Sequence, residues 1–516
     1  VVASNITINS GGVNASGIVS ATSYQGSGAN LTGIGLSIAP LIYNPTVGET
    51  NIAPQPTIEL TVNQRIVAGS GNVSLRMVSA GSTIIENFGV GSSVTINNDG
   101  TLPKLSFTPT STLSADSVIF VDIPAGAFKT PTGTDIKATN WTFTTKPTYQ
   151  LWSWGDNEKG ELGQNQSAAN IEYSSPVQIG GDSNWDSIAV GKGNVWGSAI
   201  KADGTLWVWG ENDTYGQLGL NDKVNRSSPT QIPGTTWNKA TRGRFHGLAT
   251  KTDGTLWVWG DFQDGALGTN GPTNTHYSSP IQIGSDTTWG TDAGHLSASD
   301  KITGAIKTDG TLWMWGENEE GELGQNDTND RSSPVQVPGT TWRTVSLASG
   351  PLVSATKTDG TMWVWGNGFM GANGQNDVVD RSSPVQVPGT TWSKAHITHG
   401  YSVLAAKTDG TLWSWGYNGT GELGQNSRIN YSSPVQIPGT TWSTDPITLG
   451  AVWGSSVWTV KTDGTAWVWG DSYYGQLGLN TNGAVGPRRY SSPTQLPGTN
   501  WASIIGGSDG AYGLRT

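Results

Sequence analysis

Five histidines, a recurring Asp-Gly pair and a scattered set of aromatics with arginine are the residues of this 516-residue chain with chemistry to offer. The histidines are His246, His276, His295, His396 and His399. His396 and His399 form the one close pair. Residues three apart on a strand face opposite sides, so without an intervening turn the two do not share a metal. No third ligand accompanies them, and no metal site is expected. Asp203, Asp253, Asp309, Asp359, Asp409 and Asp463 each precede a glycine. Asp-Gly is first a tight-turn pair joining two strands, so these carboxylates are assigned to turns. Two acidic stretches, Asn326 to Asp330 and Asn376 to Asp380, offer oxygen ligands for calcium but complete no loop motif. They read as solvated turns in which Asp330 pairs with Arg331, or Asp380 with Arg381. The absence of cysteine excludes disulfides, thiolate metal sites and a cysteine nucleophile. No phosphate loop, dinucleotide fingerprint or Ser/His/Asp order is recognisable. The chain is therefore read as a non-enzyme with no catalytic residue, no cofactor and no metal.

What remains is recognition. The candidates are Trp196, Arg244, Phe245, His246, Phe262, Phe369, Met370, His399, Tyr401, Tyr417, Trp453, Tyr473 and Tyr474. Aromatics with arginine suit protein anchors, and Tyr or Trp also stack on sugars. About half of this set is expected to pack inside or to plug a central channel instead. Arg488 and Arg489, in a long final turn, read as solvated.

These residues fall in the variable parts of a repeat. Trp-x-Trp-Gly begins at Trp152, Trp207, Trp257, Trp313, Trp363, Trp413 and Trp467. A Gly-x-Leu-Gly turn, a Ser-Ser-Pro and a lone Trp follow in most copies; the lone residues are Trp185, Trp237, Trp289, Trp342, Trp392, Trp442 and Trp501. A period of about 50 residues suits a four-stranded propeller blade. Strand one follows the lone Trp, as Ala395-His396-Ile397. Strand two is of the type Val403 to Ala406, strand three is Leu-Trp-Val-Trp, and strand four is Pro-Val-Gln-Val. In strand three Trp207 and Trp209 face one way, Leu206 and Val208 the other. Both faces are apolar, so a neighbouring blade must cover each.

Six of the seven motifs are led by Lys-x-Asp-Gly-Thr, as at Lys407 to Thr411; the one at Trp152 is not. The last residues, Gly513-Leu514-Arg515-Thr516, look like the missing lead-in. The expected architecture is all-β, a seven-bladed β-propeller in which the C-terminal strand closes the first blade. Its Asp-Gly and Pro-Gly-Thr-Thr turns fall on one face. The variable connections, between strands one and two and between three and four, fall on the other, where recognition usually sits.

The seven motifs, over 147–516, resemble the regulator of chromosome condensation repeat family. That resemblance implies a seven-bladed propeller closed by pairing of N- and C-terminal strands. Family activities differ widely: the founding member is a nucleotide-exchange factor for a small GTPase, and a bacterial member inhibits β-lactamase. Fold does not choose among them. The founding member's protruding β-wedge insertion has no counterpart in these nearly equal units, so the exchange activity is not carried over.

Residues 45–146 hold Val/Ile/Thr alternations such as Thr57 to Val62, Val73 to Val78 and Val118 to Ile123, spaced as in a β-sandwich. Ala68-Gly69-Ser70-Gly71-Asn72, Ile123 to Phe128 and Trp141 to Thr145 resemble bacterial Ig-like domains of the S-layer and adhesin type, which implies an extracellular spacer. Residues 1–44 form an extended N-terminal segment, rich in Gly, Ser, Asn and Thr. Gly17 to Ile34 resembles phage tail-fibre segments that intertwine, often as trimers; a flexible linker is the alternative.

The net charge of −11 without a basic run argues against nucleic-acid binding. No apolar stretch approaches the roughly 20 residues that span a bilayer. The expected function is a non-enzymatic virion appendage, a phage tail fibre or similar, exposed on the particle. It would contact other virion proteins and recognise a host cell-surface glycan or protein, as a homo-oligomer, with a trimer through residues 1–40 as the expected form. The alternatives are a bacterial secreted or surface adhesin, a purely structural virion or fibre component, and a protein inhibitor.

Overall fold

The computed structural model describes residues 6–9, 12–15 and 39–516, apart from 54, 79–82, 101, 168–170, 192–195, 213, 272–274, 293, 348–349, 399–400, 446–448, 453–454, 482–486 and 507–509. The tail-fibre-like stretch 17–34, and with it the expected trimer contact, lies outside the described residues. Within 1–44 an antiparallel hairpin, Ile6–Asn9 with Gly12–Ala15, precedes a strand at Pro40–Asn44.

The first folded unit is a two-sheet sandwich. One sheet runs Pro40–Asn44, Ile58–Val62, Lys104–Phe107, Thr95–Asn97; the other runs Glu49–Ile52, Thr139–Thr145, Val118–Ile123, Asn72–Met77, Thr83–Gly89. Pro40–Asn44 pairs with Ile58–Val62, so the sheet begins five residues before the expected boundary at 45. The reason is apolar and tertiary: Tyr43 lies 4.9 Å from Trp141, which no local pattern announces. Strand Val118–Ile123 alternates buried and half-buried positions, as a face packed on a core requires. Ile119, Val121 and Ile123 are fully buried, as are Leu60, Leu75, Leu105 and Phe143, and Phe88 packs on Phe107 at 4.6 Å.

The second unit contains seven sheets of the propeller type, antiparallel except that Val190–Gly191 joins the third blade's sheet as a fifth strand, parallel to Trp237–Arg242. Blade 2 shows the pattern: Trp185–Ile188, Trp196–Lys201, Leu206–Gly210 and Arg226–Ile232, in that order across the sheet. Blades 3, 5 and 6 repeat it with first strands that begin at Trp237, Trp342 and Trp392; in blades 4 and 7 Trp289 and Trp442 make single bridges to Lys307 and Lys461, and the first strands are Leu296–Ala298 and Leu449–Val452. Blade 1 is composite. Trp501–Gly506 and Gly510–Arg515 supply its strands one and two, Gln150–Asp156 and Glu172–Gln178 its strands three and four. Gln150 pairs with Arg515 and Trp152 with Gly513, so the missing lead-in is found where the sequence puts it. Two C-terminal strands, rather than one, close the ring.

The strand-three pattern explains the stacking. Leu206 and Val208 of blade 2 pack on Trp237, Ala249 and Trp259 of blade 3. Leu256 and Val258 of blade 3 pack likewise on Trp289, Ala305 and Trp315 of blade 4. Every second Trp of Trp-x-Trp-Gly is essentially fully buried. The following glycine sits in a bulge at positive φ, 98° at Gly260, where an added Cβ would lie 2.3 Å from the Phe245 carbonyl oxygen.

Candidate partner-binding face

The Asp-Gly turns are self-contained. Asp203 accepts from the Thr205 N–H at 3.0 Å and its hydroxyl at 2.6 Å, and Thr205 Oγ1 accepts from Trp207 Nε1 at 2.8 Å. The same chain of bonds recurs at Asp253, Asp309, Asp359, Asp409 and Asp463, whose carboxyls the threonine hydrogen bonds hold below the usual range. These carboxylates are turn elements. The lysine before each turn lies over two indoles, at 3.9–4.9 Å from the ring centroids. Arg515 takes that place in blade 1, over Trp152 and Trp501.

The strand three-to-four connections on the opposite face are braced from within. Asn157, Asn212, Asn318 and Asn418 are fully buried, and each accepts the N–H of a leucine five or six residues on. The acidic turns are closed by ion pairs, though not the expected ones. Arg331 reaches Asp327 at 2.7 Å and Arg381 reaches Asp377 at 2.8 Å, both four residues back. Asp330 and Asp380 instead accept the N–H groups of Asn318 and Gly368. Among the described residues no three His, Asp or Glu side chains gather in a metal-binding group.

The structure separates the thirteen candidates. Trp196, His246 and Phe262 are buried. Trp196 donates to the Arg244 carbonyl at 3.0 Å. His246 Nε2 lies 3.1 Å from the Thr303 hydroxyl, and burial pushes its pKa down to about 4. Phe262 packs with Leu267 and Trp289. These three are interior residues because their own strands or turns point them between blades. His399 and Trp453 lie outside the described residues. The remainder form exposed or half-exposed clusters. Exposed Arg244 covers the Phe245 ring at 4.8 Å; Phe245 meets Tyr215 at 5.0 Å, and Tyr215 meets His276 at 4.9 Å. Phe369, 48% exposed, meets Tyr401 at 5.1 Å, with Met370 and Tyr417 half-buried in the same pair of blades. Tyr473, 44% exposed, meets Tyr474 at 4.7 Å and lies under the Arg488 guanidinium at 4.4 Å. Arg488 also reaches Asp471 at 3.3 Å, so it is an organised member of the cluster rather than a solvated charge. Sequence reasoning missed Tyr215 and His276, since nothing local links them to Phe245.

It also read Gly-x-Leu-Gly-x-Asn as a plain turn. The turn is the clamp between blades. The N–H of Asn165, Asn221, Asn270, Asn326, Asn376, Asn426 and Asn480 donates to a serine carbonyl of the next blade at 2.6–2.8 Å, the last returning to Ser174. The carbonyl two residues before each of the seven clamp glycines accepts from a buried Trp Nε1 of the next blade at 2.6–3.0 Å, again closing the circle, from Trp154 to Gln476. The signal was available: glycine and asparagine keep their places in every copy while the residues around them change.

Five stretches, 150–195, 203–249, 309–351, 409–449 and 463–511, match the Regulator of chromosome condensation (RCC1) repeat, and residues 39–145 match a bacterial Ig-like domain. The chain is 29% identical over 143 residues to the X-linked retinitis pigmentosa GTPase regulator of Canis lupus familiaris, across 27% of this chain and 14% of that protein. It is 29% identical over 230 residues to the mitochondrial RCC1 domain-containing protein RUG3 of Arabidopsis thaliana, across 39% of this chain and 50% of that protein. It thus spans half or less of these relatives' own length. Human WBSCR16 superimposes with a TM-score of 0.60 at 19% identity, covering 71% of this chain and 99% of that one. Prp20p from Saccharomyces cerevisiae does so with a TM-score of 0.60 at 19% identity, covering 72% and 92%. At such identities the likeness shows the fold alone. The chain carries RCC1 repeats folded as a propeller, and a bacterial Ig-like domain before them.

Proposed function

We propose that this chain is a non-enzymatic recognition protein whose propeller binds a surface molecule of a host cell through the variable-connection face, and that it works on a virion appendage. The observation that carries the reading is the cluster of Tyr473, Tyr474 and Arg488, exposed on a connection whose base is locked to the next blade. Rigid aromatics with an arginine lose little entropy on binding and are the usual anchors of an interface. Phe369 with Tyr401 and Arg244 with Phe245 supply further anchors of the same kind. The bacterial Ig-like domain supports a phage or bacterial-surface setting, with that domain as a connecting module. The GTPase regulator matches this chain over 143 residues, only 14% of its own length, so the activity in its name is not transferred.

The test is binding of the labelled full chain to a panel of bacterial cells, beside the Tyr473→Ala/Tyr474→Ala double variant. The wild-type chain is expected to bind a subset of strains, and the double variant to bind them at least about tenfold more weakly. Retention of full binding by the double variant removes this cluster from the face; a wild-type chain that binds no cell overturns the reading.

A further inference from the structure

Two grooves between neighbouring blades hold the same kinds of side chain at the same places in the repeat. One, of about 340 Å³, lies between blades 1 and 2 and is bordered by Gln164, Asn165, Asp182, Trp185, Lys201 and Trp207. The other, of about 350 Å³, lies between blades 6 and 7 and is bordered by Gln425, Asn426, Pro438, Trp442, Lys461 and Trp467. Both have the size of a small-molecule site, and neither includes any of the thirteen candidates above. In each the lysine ammonium stands over two indoles, at 4.9 and 4.2 Å for Lys201 and at 4.7 and 4.2 Å for Lys461.

The connection before Trp185 is one residue longer than the one before Trp442, and the difference that bears on charge is the residue three before the lone tryptophan. In blade 2 that residue is Asp182, whose carboxylate pairs with Lys201 at 2.8 Å. Blade 4 follows suit with Asp286, paired with Lys307. In blades 3, 5, 6 and 7 the position is glycine: Gly234, Gly339, Gly389 and Gly439. There, among the described residues, no carboxylate lies within ion-pair distance of Lys251, Lys357, Lys407 or Lys461. The chain itself thus displays what the aromatic-flanked ammonium accepts; in four blades the direct ion pair is missing, and only the turn's own aspartate, Asp253, Asp359, Asp409 or Asp463, lies within electrostatic reach of the lysine.

We propose that the glycine-type grooves bind acidic saccharides, with the carboxylate of a uronic-acid unit on Lys461 where Asp182 stands in blade 2. The half-exposed Trp467 offers a flat apolar surface to the C–H face of the pyranose, and the Gln425 and Asn426 amides border the sugar's hydroxyl rim. Lys251, Lys357 and Lys407 repeat the lysine-over-two-indoles contact beside a glycine, so a polymer of such units would meet several weak sites on one ring, and avidity raises its affinity without any new contact. This site is independent of the variable-connection face and stands or falls separately from it.

Calorimetric titration of the full chain with trigalacturonate, against neutral galactotriose and against sodium acetate, tests the proposal. Trigalacturonate is expected to bind at about four sites, galactotriose at least about tenfold more weakly, and acetate without measurable heat. The Lys357→Met/Lys407→Met/Lys461→Met variant, which keeps the apolar stems, is expected to retain about one site. Asp182→Ala is expected to add a site, a gain that misfolding cannot imitate. The proposal is overturned if trigalacturonate gives no heat, if galactotriose binds equally, if acetate competes as well as the sugar, or if neither variant changes the stoichiometry.

Discussion

Glu322 shows how single residues of the clamp turns are tuned. It is 2% exposed, its carboxylate accepts the Glu320 N–H at 2.9 Å, and burial pushes its pKa up to about 7. A carboxyl whose pKa rises on folding contributes stability that is fully present below its unfolded value, near 4.5. That contribution is lost as the pH climbs through about 7. Gln217 and Gln476 hold the equivalent place in blades 2 and 7 and accept the equivalent N–H groups without any charge. Glu322→Gln is therefore expected to raise stability by about 1–3 kcal/mol at pH 8 and to leave it unchanged at pH 4. Denaturant melts of both proteins at the two pH values check this, and a gain of equal size at pH 4 rules out ionisation as the cause. On the outer face, residue chemistry works differently: Tyr473 keeps its exposure because Arg488 and Tyr474 brace its ring from two sides.

The clamp turn is the element on which the propeller depends. Each copy needs a glycine in the left-handed region with the neighbouring blade's indole against it. At Gly374 φ is 70°, and an added Cβ would lie 2.8 Å from Trp415 Nε1. Gly374→Ala therefore combines backbone strain with a clash against a buried ring, and a loss of about 2–4 kcal/mol is expected in urea titration. Gly180→Ala serves as the control: its φ of 61° imposes the same backbone strain, but nothing lies within 4 Å of an added Cβ. Equal losses in the two variants would show that the indole contact contributes nothing. The sandwich strands obey a simpler rule, since Val118–Ile123 needs only period-two burial and turns at its ends.

For the whole molecule, closure is the decisive event. Blade 1 joins residues 150–178 to residues 501–515, and both inter-blade bond types run once around the ring to meet there, Asn480 to Ser174 and Trp154 to Gln476. Truncation after Trp501 removes strand two of that blade and nearly all of strand one, and exposes Trp154. The melting temperature is expected to fall by on the order of 10 °C or more, with loss of a single cooperative transition. Calorimetry and small-angle scattering of the truncated chain check this; an unchanged melt and radius would mean that the ring does not need its clasp.

The repeat period, the strand pattern and the orphaned lead-in at Gly513–Thr516 were enough to define the seven blades, their stacking and their closure. All of that is periodic information, written once per unit and read along one strand. The Asp-Gly turns were equally legible, because their hydrogen bonds close within three residues. The sequence could not show which aromatics face out. Trp196 and Phe262 look like Phe369 and Tyr473 on paper, and only the position of each side chain relative to a neighbouring blade buries the first two. The clamp partners lie 40 or more residues apart, and the Asp-or-Gly choice beside each lysine gains meaning only when two blades form a groove. Local chemistry determined the fold. The surface was decided by which residues the closed ring brings side by side, because contacts between blades depend on the three-dimensional stacking of units that each look alike in sequence.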